Sequence, residues 1–195
     1  MIYEPKWKSL MANTVGPIFS PEQCQDIIKA GHQQKQEEAM VGNKKGTRQG
    51  KYDTKMRITT ISWIPFTALP DMYKRIERSM LQVNGNHFGY EGVQLTEYAQ
   101  FTEYPKGGFY DWHIDAEINC QHEPPVRKIS MTILLSNASE FEGGDLEFMT
   151  EGNKPPQLLQ GQAIFFCSLI RHRVAKIKKG VRRSLVMWFG GPPFK

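Results

Sequence analysis

The sequence predicts a domain of mainly β structure with helices at its N-terminal end. Helix-like patterns occur before residue 90, and short strand-like runs separated by turn residues dominate after it. Many short strands at regular spacing are typical of a sandwich or a barrel. The chain has 195 residues, 39% of them hydrophobic, which is enough for one core. We therefore expect one domain over residues 1–195, in which residues 1–90 support a β core formed by residues 91–190.

The first helix is predicted from a capping signal. Ser20-Pro21-Glu22-Gln23 has the form of a capping box with proline at the first helical position. A helix over about residues 21–36 is expected to follow, with Cys24, Ile27 and Ile28 facing inward.

Three further elements are predicted before residue 90. Residues 41–55 are rich in Gly, Lys, Asn and Gln and predict a mobile loop, longer than most connections. Residues 57–64 alternate β-branched and polar residues, which is typical of a strand. Residues 70–83 predict a second helix that ends at Asn84-Gly85-Asn86.

The second half of the chain predicts a succession of strands. These strands are expected at residues 93–104, 109–115, 128–135, 145–149, 162–167, 173–177 and 181–189. Turn residues separate them at 105–108, 143–144, 152–156 and 179–180. The two preceding helices would then cover one face of the β structure.

Composition argues against secretion and against a membrane span. No apolar run approaches the roughly 20 residues of a membrane-spanning helix, and the first ten residues are too charged for a signal peptide. The cysteines are few, odd in number and without metal-ligand spacing, which indicates reduced thiols: Cys24, Cys120 and Cys167. We therefore expect a cytoplasmic protein with no membrane partner.

Positive charge is concentrated in two segments. The formal net charge is +5, and many of the basic residues lie in 44–57 and 171–183. A solvated basic surface would explain these clusters, and so would attraction to an acidic partner or to nucleic acid. Because no nucleic-acid-binding motif occurs in the sequence, charge alone does not decide between them.

His113 and Asp115 are the most informative pair in the sequence. In a strand, alternate side chains project to the same side, so an imidazole and a carboxylate at these positions can hold one metal ion. His172, at the far end of an apolar run, offers a third ligand. Two histidines and one carboxylate with open positions suit a non-haem Fe(II) oxygenase. The alternative is that each histidine is structural or solvated, since His-x-Asp pairs arise by chance.

A candidate anion site follows the distal histidine. Arg182 and Ser184 share one face of the last predicted strand, where a guanidinium and a hydroxyl can hold a carboxylate. A buried arginine without an anion is costly, so an inward Arg182 implies a ligand. The alternative is that Arg182 points to solvent, as Arg183 also can.

Several blocks in this order resemble the Fe(II)- and 2-oxoglutarate-dependent dioxygenases, specifically the prolyl-4-hydroxylase-like branch. The resemblance covers about half of the chain, from Val93 to Phe189. It is carried by residues 101–115 (FTEYPKGGFYDWHID), 127–136 (RKISMTILLS), 141–146 (FEGGDL), 161–166 (GQAIFF), 172–174, 180–182 and Trp188. It implies a core that is a distorted double-stranded β-helix, a form of jelly roll.

The resemblance also assigns roles. It implies that His113, Asp115 and His172 are the catalytic residues that ligate Fe(II), and that 2-oxoglutarate is the cosubstrate consumed with O2. Ascorbate is expected as a reductant. Arg182 would pair with the distal carboxylate of 2-oxoglutarate.

Five further positions matter to the resemblance. Tyr104 matches a tyrosine whose hydroxyl also reaches the distal carboxylate of 2-oxoglutarate. Ser184 is a further candidate for binding this carboxylate, mainly because it shares a face with Arg182. Tyr110 and Trp188 match aromatic positions near the iron and the substrate mouth, although core packing would equally explain them. Leu134 departs from relatives that carry tyrosine there, so one cosubstrate hydrogen bond is expected to be absent.

The substrate is the least determined feature. The resemblance implies hydroxylation of a prolyl residue in a peptide or protein, with the loop at 41–55 closing over it. A hydroxylase of a free amino acid or another small molecule would share every motif. A nucleic-acid demethylase of the same superfamily would carry a second arginine where this chain has Trp188, so no nucleic-acid partner is expected. The intact ligands and Arg182 argue against a non-enzymatic metal-binding domain.

Overall fold

The structure is a computed structural model that describes residues 10–39, 41–43, 50–51, 53–116, 125–149 and 157–193. Within them lie sixteen strands, two α-helices and two short helices of other types. The expectation of a mainly β chain with N-terminal helices is confirmed. No helix in the described ranges is both long and apolar enough to cross a membrane.

Helix α1 (Pro21–His32) begins with the expected capping box. The Ser20 hydroxyl accepts a hydrogen bond from the Gln23 backbone N–H (3.3 Å), and the Gln23 side chain accepts one from the Ser20 N–H (3.0 Å). Cys24, Ile27 and Ile28 are buried, as predicted. The helix ends earlier than the predicted residue 36.

Helix α2 (Pro70–Val83) has the predicted bounds, but the chain does not leave helical geometry at residues 84–86. A π-helical turn, Asn84–Phe88, continues it to Gly89, where a φ of 70° ends it. The Asn84 side chain stabilises this turn because it accepts from the Tyr90 N–H and donates to the Tyr90 carbonyl.

The strands of the first half are short. They are β1 (Met11–Asn13), β2 (Glu37–Glu38), β3 (Val41–Asn43), β4 (Gly50–Lys51), β5 (Arg57–Ile58), β6 (Thr60–Ile64), β7 (Gln94–Leu95) and β8 (Ala99–Tyr104). Those of the second half are β9 (Phe109–His113), β10 (Val126–Leu134), β11 (Phe141–Gly143), β12 (Leu146–Phe148), β13 (Ala163–Cys167), β14 (His172–Val174), β15 (Ile177–Gly180) and β16 (Arg182–Gly191).

Two antiparallel sheets dominate the architecture. The major sheet has eight strands in the order β1-β13-β10-β16-β8-β6-β2, with β7 also paired to β16. The minor sheet has the order β12-β14-β9-β5, and β11 pairs with β15 in a separate ribbon.

Strand β13 shows how the layers stack. Ala163 and Phe165 belong to the core cluster that also contains the buried residues of both α-helices. Ile164 and Phe166 belong to a second cluster, with residues of the minor sheet such as Val174. Because alternate side chains of a strand point to opposite faces, the helices cover one face of the major sheet and the minor sheet packs on the other.

Two predictions before residue 90 need correction. The single strand expected at 57–64 is two strands in different sheets: β5 pairs with β9, and β6 pairs with β8. Thr59 separates them, and its hydroxyl donates to the Glu103 carbonyl. The expected loop at 41–55 contains the pair β3–β4, while residues 44–49 and 52 lie outside the described residues.

Candidate metal centre

Three predicted ligand side chains converge in the structure. The Nε2 atom of His113 lies 3.6 Å from Asp115 Oδ1, and the Nε2 atom of His172 lies 3.6 Å from Asp115 Oδ2. The candidate ligand atoms of all three residues lie within 4.8 Å of one another. This spacing allows one ion to contact an atom from each residue.

Strand pairing positions the two histidines. His113 on β9 and His172 on β14 are direct cross-strand partners, and their ring centroids are 4.2 Å apart. Direct partners project to the same face of a sheet, so both imidazoles point to the same side of the minor sheet.

Asp115 reaches the centre by a different route from the one predicted. Strand β9 ends at His113, so the pleat of a strand does not place Asp115. Instead, the backbone N–H groups of Asp115 and Ala116 both donate to the Ser168 carbonyl, at 3.1 and 3.0 Å. A turn held by the β13–β14 connection therefore brings the carboxylate back beside His113.

The imidazoles are oriented for metal binding. The Nδ1 atom of His113 lies 2.7 Å from the Asp111 carbonyl, and that of His172 lies 2.9 Å from the Ile170 carbonyl. A carbonyl can only accept, so Nδ1 carries the proton in each ring and the Nε2 lone pair faces the centre. Protein metal sites commonly fix their histidines in this way.

Electrostatics favour the protonation states that a metal requires. Burial, aided by repulsion from His172, lowers the pKa of His113 from 6.5 to about 4. Burial raises the pKa of Asp115, but the two histidines and nearby hydrogen-bond donors together lower it by more, so the pKa is lowered overall. At neutral pH His113 is therefore a neutral imidazole and Asp115 a carboxylate.

The donor set fits a first-row divalent ion such as Fe(II). Two imidazole nitrogens and one carboxylate on one side of the centre correspond to the facial triad of non-haem iron oxygenases. The indole Nε1 of Trp188 is buried and has no hydrogen-bond partner among the described residues. A buried donor without an acceptor is rare in a folded protein, which supports a bound group beside it.

Arg182 lies inside the protein, next to a cavity of about 220 Å³ that it helps to line. Only 3% of its surface is exposed, and burial lowers its pKa. Its Nη1 donates to the Ser184 hydroxyl (3.2 Å), and no ion pair to Arg182 occurs among the described residues. Asp145 lines the same cavity and attracts this charge without forming an ion pair. The buried guanidinium makes the cavity a candidate anion site.

Arg183 has the opposite environment. Its Nε lies 2.8 Å from a Glu103 carboxylate oxygen, and its Nη1 lies 3.3 Å from one of Glu140. The two adjacent arginines therefore differ in environment: Arg183 forms partly buried ion pairs, and Arg182 lines the cavity.

Neighbouring strands place the other candidate cosubstrate residues around Arg182. Tyr104 is its direct cross-strand partner, and the guanidinium carbon lies 5.8 Å from the centre of the Tyr104 ring. Ser184 is paired with Leu134, whose apolar side chain lines the cavity. Gly144 leaves room for the arginine, since a Cβ there would lie 2.9 Å from Arg182 Cδ.

Of the two tentative substrate residues, Tyr110 contacts a candidate metal ligand, and neither residue belongs to the main core cluster. The Tyr110 ring stacks on His113 with 3.5 Å between centroids. Trp188 lies between the Arg127 guanidinium, 3.9 Å from its ring centre, and Trp63, at 6.1 Å.

Arg57 is a buried site residue that sequence reasoning missed. Its guanidinium lies 4.4 Å from the Tyr110 ring centre, on the strand next to β9. Nη2 donates to the Gln100 side chain (3.1 Å), whereas Nε has no partner among the described residues. The sequence pattern that could have identified Arg57 is the predicted strand at residues 57–64, because alternate side chains of a strand point inward.

Comparison with known families agrees with this geometry. Residues 99–190 match the family model described as 2OG-Fe(II) oxygenase superfamily. A PKHD-type hydroxylase of Synechococcus sp. (strain CC9902) is 39% identical over 83 residues, which is 42% of this chain and 36% of that protein. A PKHD-type hydroxylase of Parvibaculum lavamentivorans is 36% identical over 93 residues, 46% of this chain and 41% of that protein. The matched part thus spans about two fifths of these relatives.

Solved structures share the fold at low sequence identity. A Pseudomonas putida prolyl-4-hydroxylase has a TM-score of 0.69 and 16% identity, over 94% of each chain. A viral collagen prolyl hydroxylase of Paramecium Bursaria Chlorella virus-1, in a 2OG complex, has a TM-score of 0.70 and 18% identity, over 94% of this chain and 97% of that one. Residues 99–190 are therefore similar to the 2OG-Fe(II) oxygenase superfamily, and the chain has a fold like that of the prolyl 4-hydroxylases.

Proposed function

We propose that this chain is an Fe(II)- and 2-oxoglutarate-dependent dioxygenase that hydroxylates a C–H bond of a prolyl residue in a peptide or protein. The observation that carries the proposal is the convergence of His113, Asp115 and His172. The buried Arg182, which forms no ion pair within the part of the chain that the structure describes, supports it. The family match supports the reaction class, and the prolyl hydroxylase folds support the substrate class.

The metal ligands would be Nε2 of His113, Nε2 of His172 and a carboxylate oxygen of Asp115. Bound there, Fe(II) would supply the redox chemistry by which O2 and 2-oxoglutarate become succinate, CO2 and the hydroxyl of the product. The protein binds and orients the reactants, and its buried centre excludes water.

Arg182 would bind the distal carboxylate of 2-oxoglutarate. Its guanidinium supplies two parallel donors for a carboxylate, and the low-polarity surroundings strengthen that pairing. Tyr104 and Ser184 would complete the binding site for this carboxylate. The tyrosine would donate a hydrogen bond, and the serine would hold Nη1 of Arg182 in place. Leu134 would contact the apolar methylene groups of the cosubstrate.

The substrate would enter on the side of Tyr110 and Trp188, next to the metal ligands. A peptide substrate is supported by a similar fold, a Trichoplax adhaerens prolyl hydroxylase in complex with a hypoxia inducible factor oxygen degradation domain peptide. That structure has a TM-score of 0.69 and 15% identity, over 93% of this chain and 84% of that one. Residues 1–90 would support the catalytic β core at 91–190 as one domain, with the sheets arranged as a double-stranded β-helix.

The test is mass spectrometry of proline-containing peptides incubated with the protein, Fe(II), 2-oxoglutarate, O2 and ascorbate. The expected result is the gain of one oxygen atom on one prolyl residue, with one succinate formed per product. Modification of free amino acids alone would move the substrate to the small-molecule class, and modification of methylated oligonucleotides would make the protein a demethylase. Absence of succinate with every substrate would contradict dioxygenase activity.

A further inference from the structure

Strand β9 is irregular next to the candidate ligand His113. His113 is paired with His172 on β14. Three residues earlier on β9, Tyr110 is paired with Val174, which lies only two residues from His172 on β14. Two residues of β9 therefore lie opposite one residue of β14, which is the count of a β-bulge. In a regular strand, side chains three residues apart point to opposite faces, but the extra residue turns Tyr110 to the same face as His113.

The bulge places the Tyr110 ring directly on the imidazole of His113. The two ring centroids are 3.5 Å apart, and the ring planes differ by 13°. The hydrogen bond from His113 Nδ1 to the Asp111 carbonyl (2.7 Å) fixes the tautomer and one edge of the ring. The terminal torsion of a histidine side chain has a broad energy minimum, so one such bond leaves the ring able to tilt. A flat contact over the face of the ring restricts that tilt.

Arg57 covers the other face of the Tyr110 ring. The two residues are direct cross-strand partners on β5 and β9, and the guanidinium carbon lies 4.4 Å from the ring centre. Only 7% of the surface of Arg57 is exposed. Its Nη2 donates to the Gln100 side chain (3.1 Å), but its Nε has no partner among the described residues. Since the negative face of an aromatic ring offsets part of the cost of burying a cation, the Tyr110 ring helps to hold the guanidinium here.

The second histidine is packed by apolar rings instead. The His172 ring lies 4.6 Å from the Phe166 ring and 5.9 Å from the Phe148 ring, measured between centroids. The two imidazoles therefore differ in what holds their planes. Phenylalanine rings pack against His172, whereas a tyrosine backed by a buried cation packs against His113.

We propose that Tyr110 and Arg57 are positioning residues for His113. The bulge stacks the Tyr110 ring on the imidazole, and the Arg57 guanidinium holds that ring from its other face. Together they fix the direction of the Nε2 lone pair before a metal binds. A ligand that is oriented in advance binds more tightly, because it loses less rotational freedom on binding. The inference rests on the metal site of the proposed function, but not on the identity of the substrate.

The experiment measures metal binding in the absence of substrate and 2-oxoglutarate. Mn(II) affinity and the visible absorption spectrum of the Co(II) form are compared for the wild-type protein, Tyr110→Leu, Tyr110→Phe and Arg57→Met. Tyr110→Leu and Arg57→Met are each expected to weaken Mn(II) binding by about 3–10-fold and to alter the Co(II) bands, because a ring contact or a cation contact is lost. Tyr110→Phe keeps the ring and should retain the wild-type affinity and spectrum. Arg57→Met decides the question if Tyr110→Leu fails to fold, because it removes the buried charge and keeps an unbranched side chain.

Arg173→Met is the matched control. The Arg173 guanidinium lies 4.8 Å from the Trp112 ring centre, so it forms the same kind of contact between β14 and β9. Because Arg173 directly follows His172 in the strand, its side chain points to the opposite face of the minor sheet. Its loss should leave the Mn(II) affinity and the Co(II) spectrum unchanged. Equal losses in Arg173→Met and Arg57→Met would overturn the proposal, because the effect would then be a general loosening of the two strands.

The remaining outcomes are equally distinct. Wild-type affinity and spectra in both Tyr110→Leu and Arg57→Met would overturn the positioning role and leave the dioxygenase activity standing. Wild-type values in Arg57→Met alone would overturn the role of the arginine. A loss in Tyr110→Phe as large as that in Tyr110→Leu would overturn the role of the stacked ring, because the hydroxyl would then be responsible.

One result separates this inference from the proposed function in the other direction. Weakened metal binding in Tyr110→Leu and Arg57→Met, with no 2-oxoglutarate consumption by the Fe(II)-loaded wild-type protein, would support the positioning role and contradict the activity.

Discussion

His113 and His172 are direct partners across two neighbouring antiparallel strands, so the minor sheet itself sets the distance between their imidazoles. Asp115 is added to this pair by a turn that the Ser168 carbonyl holds. The candidate metal centre therefore combines a rigid two-histidine unit with a carboxylate whose position depends on a second segment.

Removing the carboxylate should abolish metal binding. We expect Asp115→Ala to weaken Mn(II) binding by more than about 100-fold, the upper end for residues that only support a ligand. Formation of succinate from 2-oxoglutarate should disappear with it. Asp111→Asn is the control, because among the described residues the Asp111 side chain accepts one hydrogen bond, from the Trp112 backbone N–H. Full turnover in Asp115→Ala would remove the iron assignment.

Removing the buried guanidinium should weaken cosubstrate binding. We expect Arg182→Ala to raise the KM for 2-oxoglutarate by at least about 30-fold, since losing a buried charge pair costs roughly 2 kcal/mol or more. Arg183→Ala should change this KM little, because Arg183 pairs with Glu103 and Glu140. Steady-state kinetics on both variants measures the difference, and the reverse order would move the carboxylate-binding role to Arg183.

A methyl group at Gly144 should disturb the same site indirectly. Its φ is +71°, and a Cβ there would lie 2.2 Å from Ile177 Cδ1 and 2.9 Å from Arg182 Cδ. We expect Gly144→Ala to lower the free energy of unfolding by about 1–3 kcal/mol and to raise the 2-oxoglutarate KM. Ser20→Ala, which removes the α1 cap, should cost about 1 kcal/mol of stability without changing the KM. Equal KM values in the two variants would contradict the close contact with Arg182.

The stability of the metal-free protein should fall at acid pH. Burial, aided by His172, lowers the pKa of His113 to about 4, from 6.5. As pH falls, the unfolded chain binds this proton first, so stability is full above pH 6.5 and is lost as pH falls towards about 4. The contribution is up to about 3 kcal/mol, measured by denaturant unfolding at a series of pH values. His113→Gln should show a flatter dependence over this window, and an unchanged slope would contradict the assignment.

The local sequence predicted a large part of the fold. Helix α2 has the predicted bounds, and helix α1 starts at the predicted capping box, because capping and periodicity are properties of neighbouring residues. The buried strand β13 was equally visible, since both of its faces are apolar. The sequence did not indicate that the chain passes from one sheet to the other at Thr59. That passage depends on which distant strands pair with the residues before and after Thr59.

For the site, residue types along the chain were enough to identify two imidazoles and a carboxylate as candidate metal ligands and a following arginine as a candidate anion-binding residue. The packed structure was needed to show that Ser168 holds the Asp115 backbone, that Arg182 lines the cavity, and that Arg183 pairs with Glu103 and Glu140. Ligand chemistry is carried by residue type and can be recognised along the chain. Orientation depends on contacts between segments far apart in sequence, which only the packed sheets bring together.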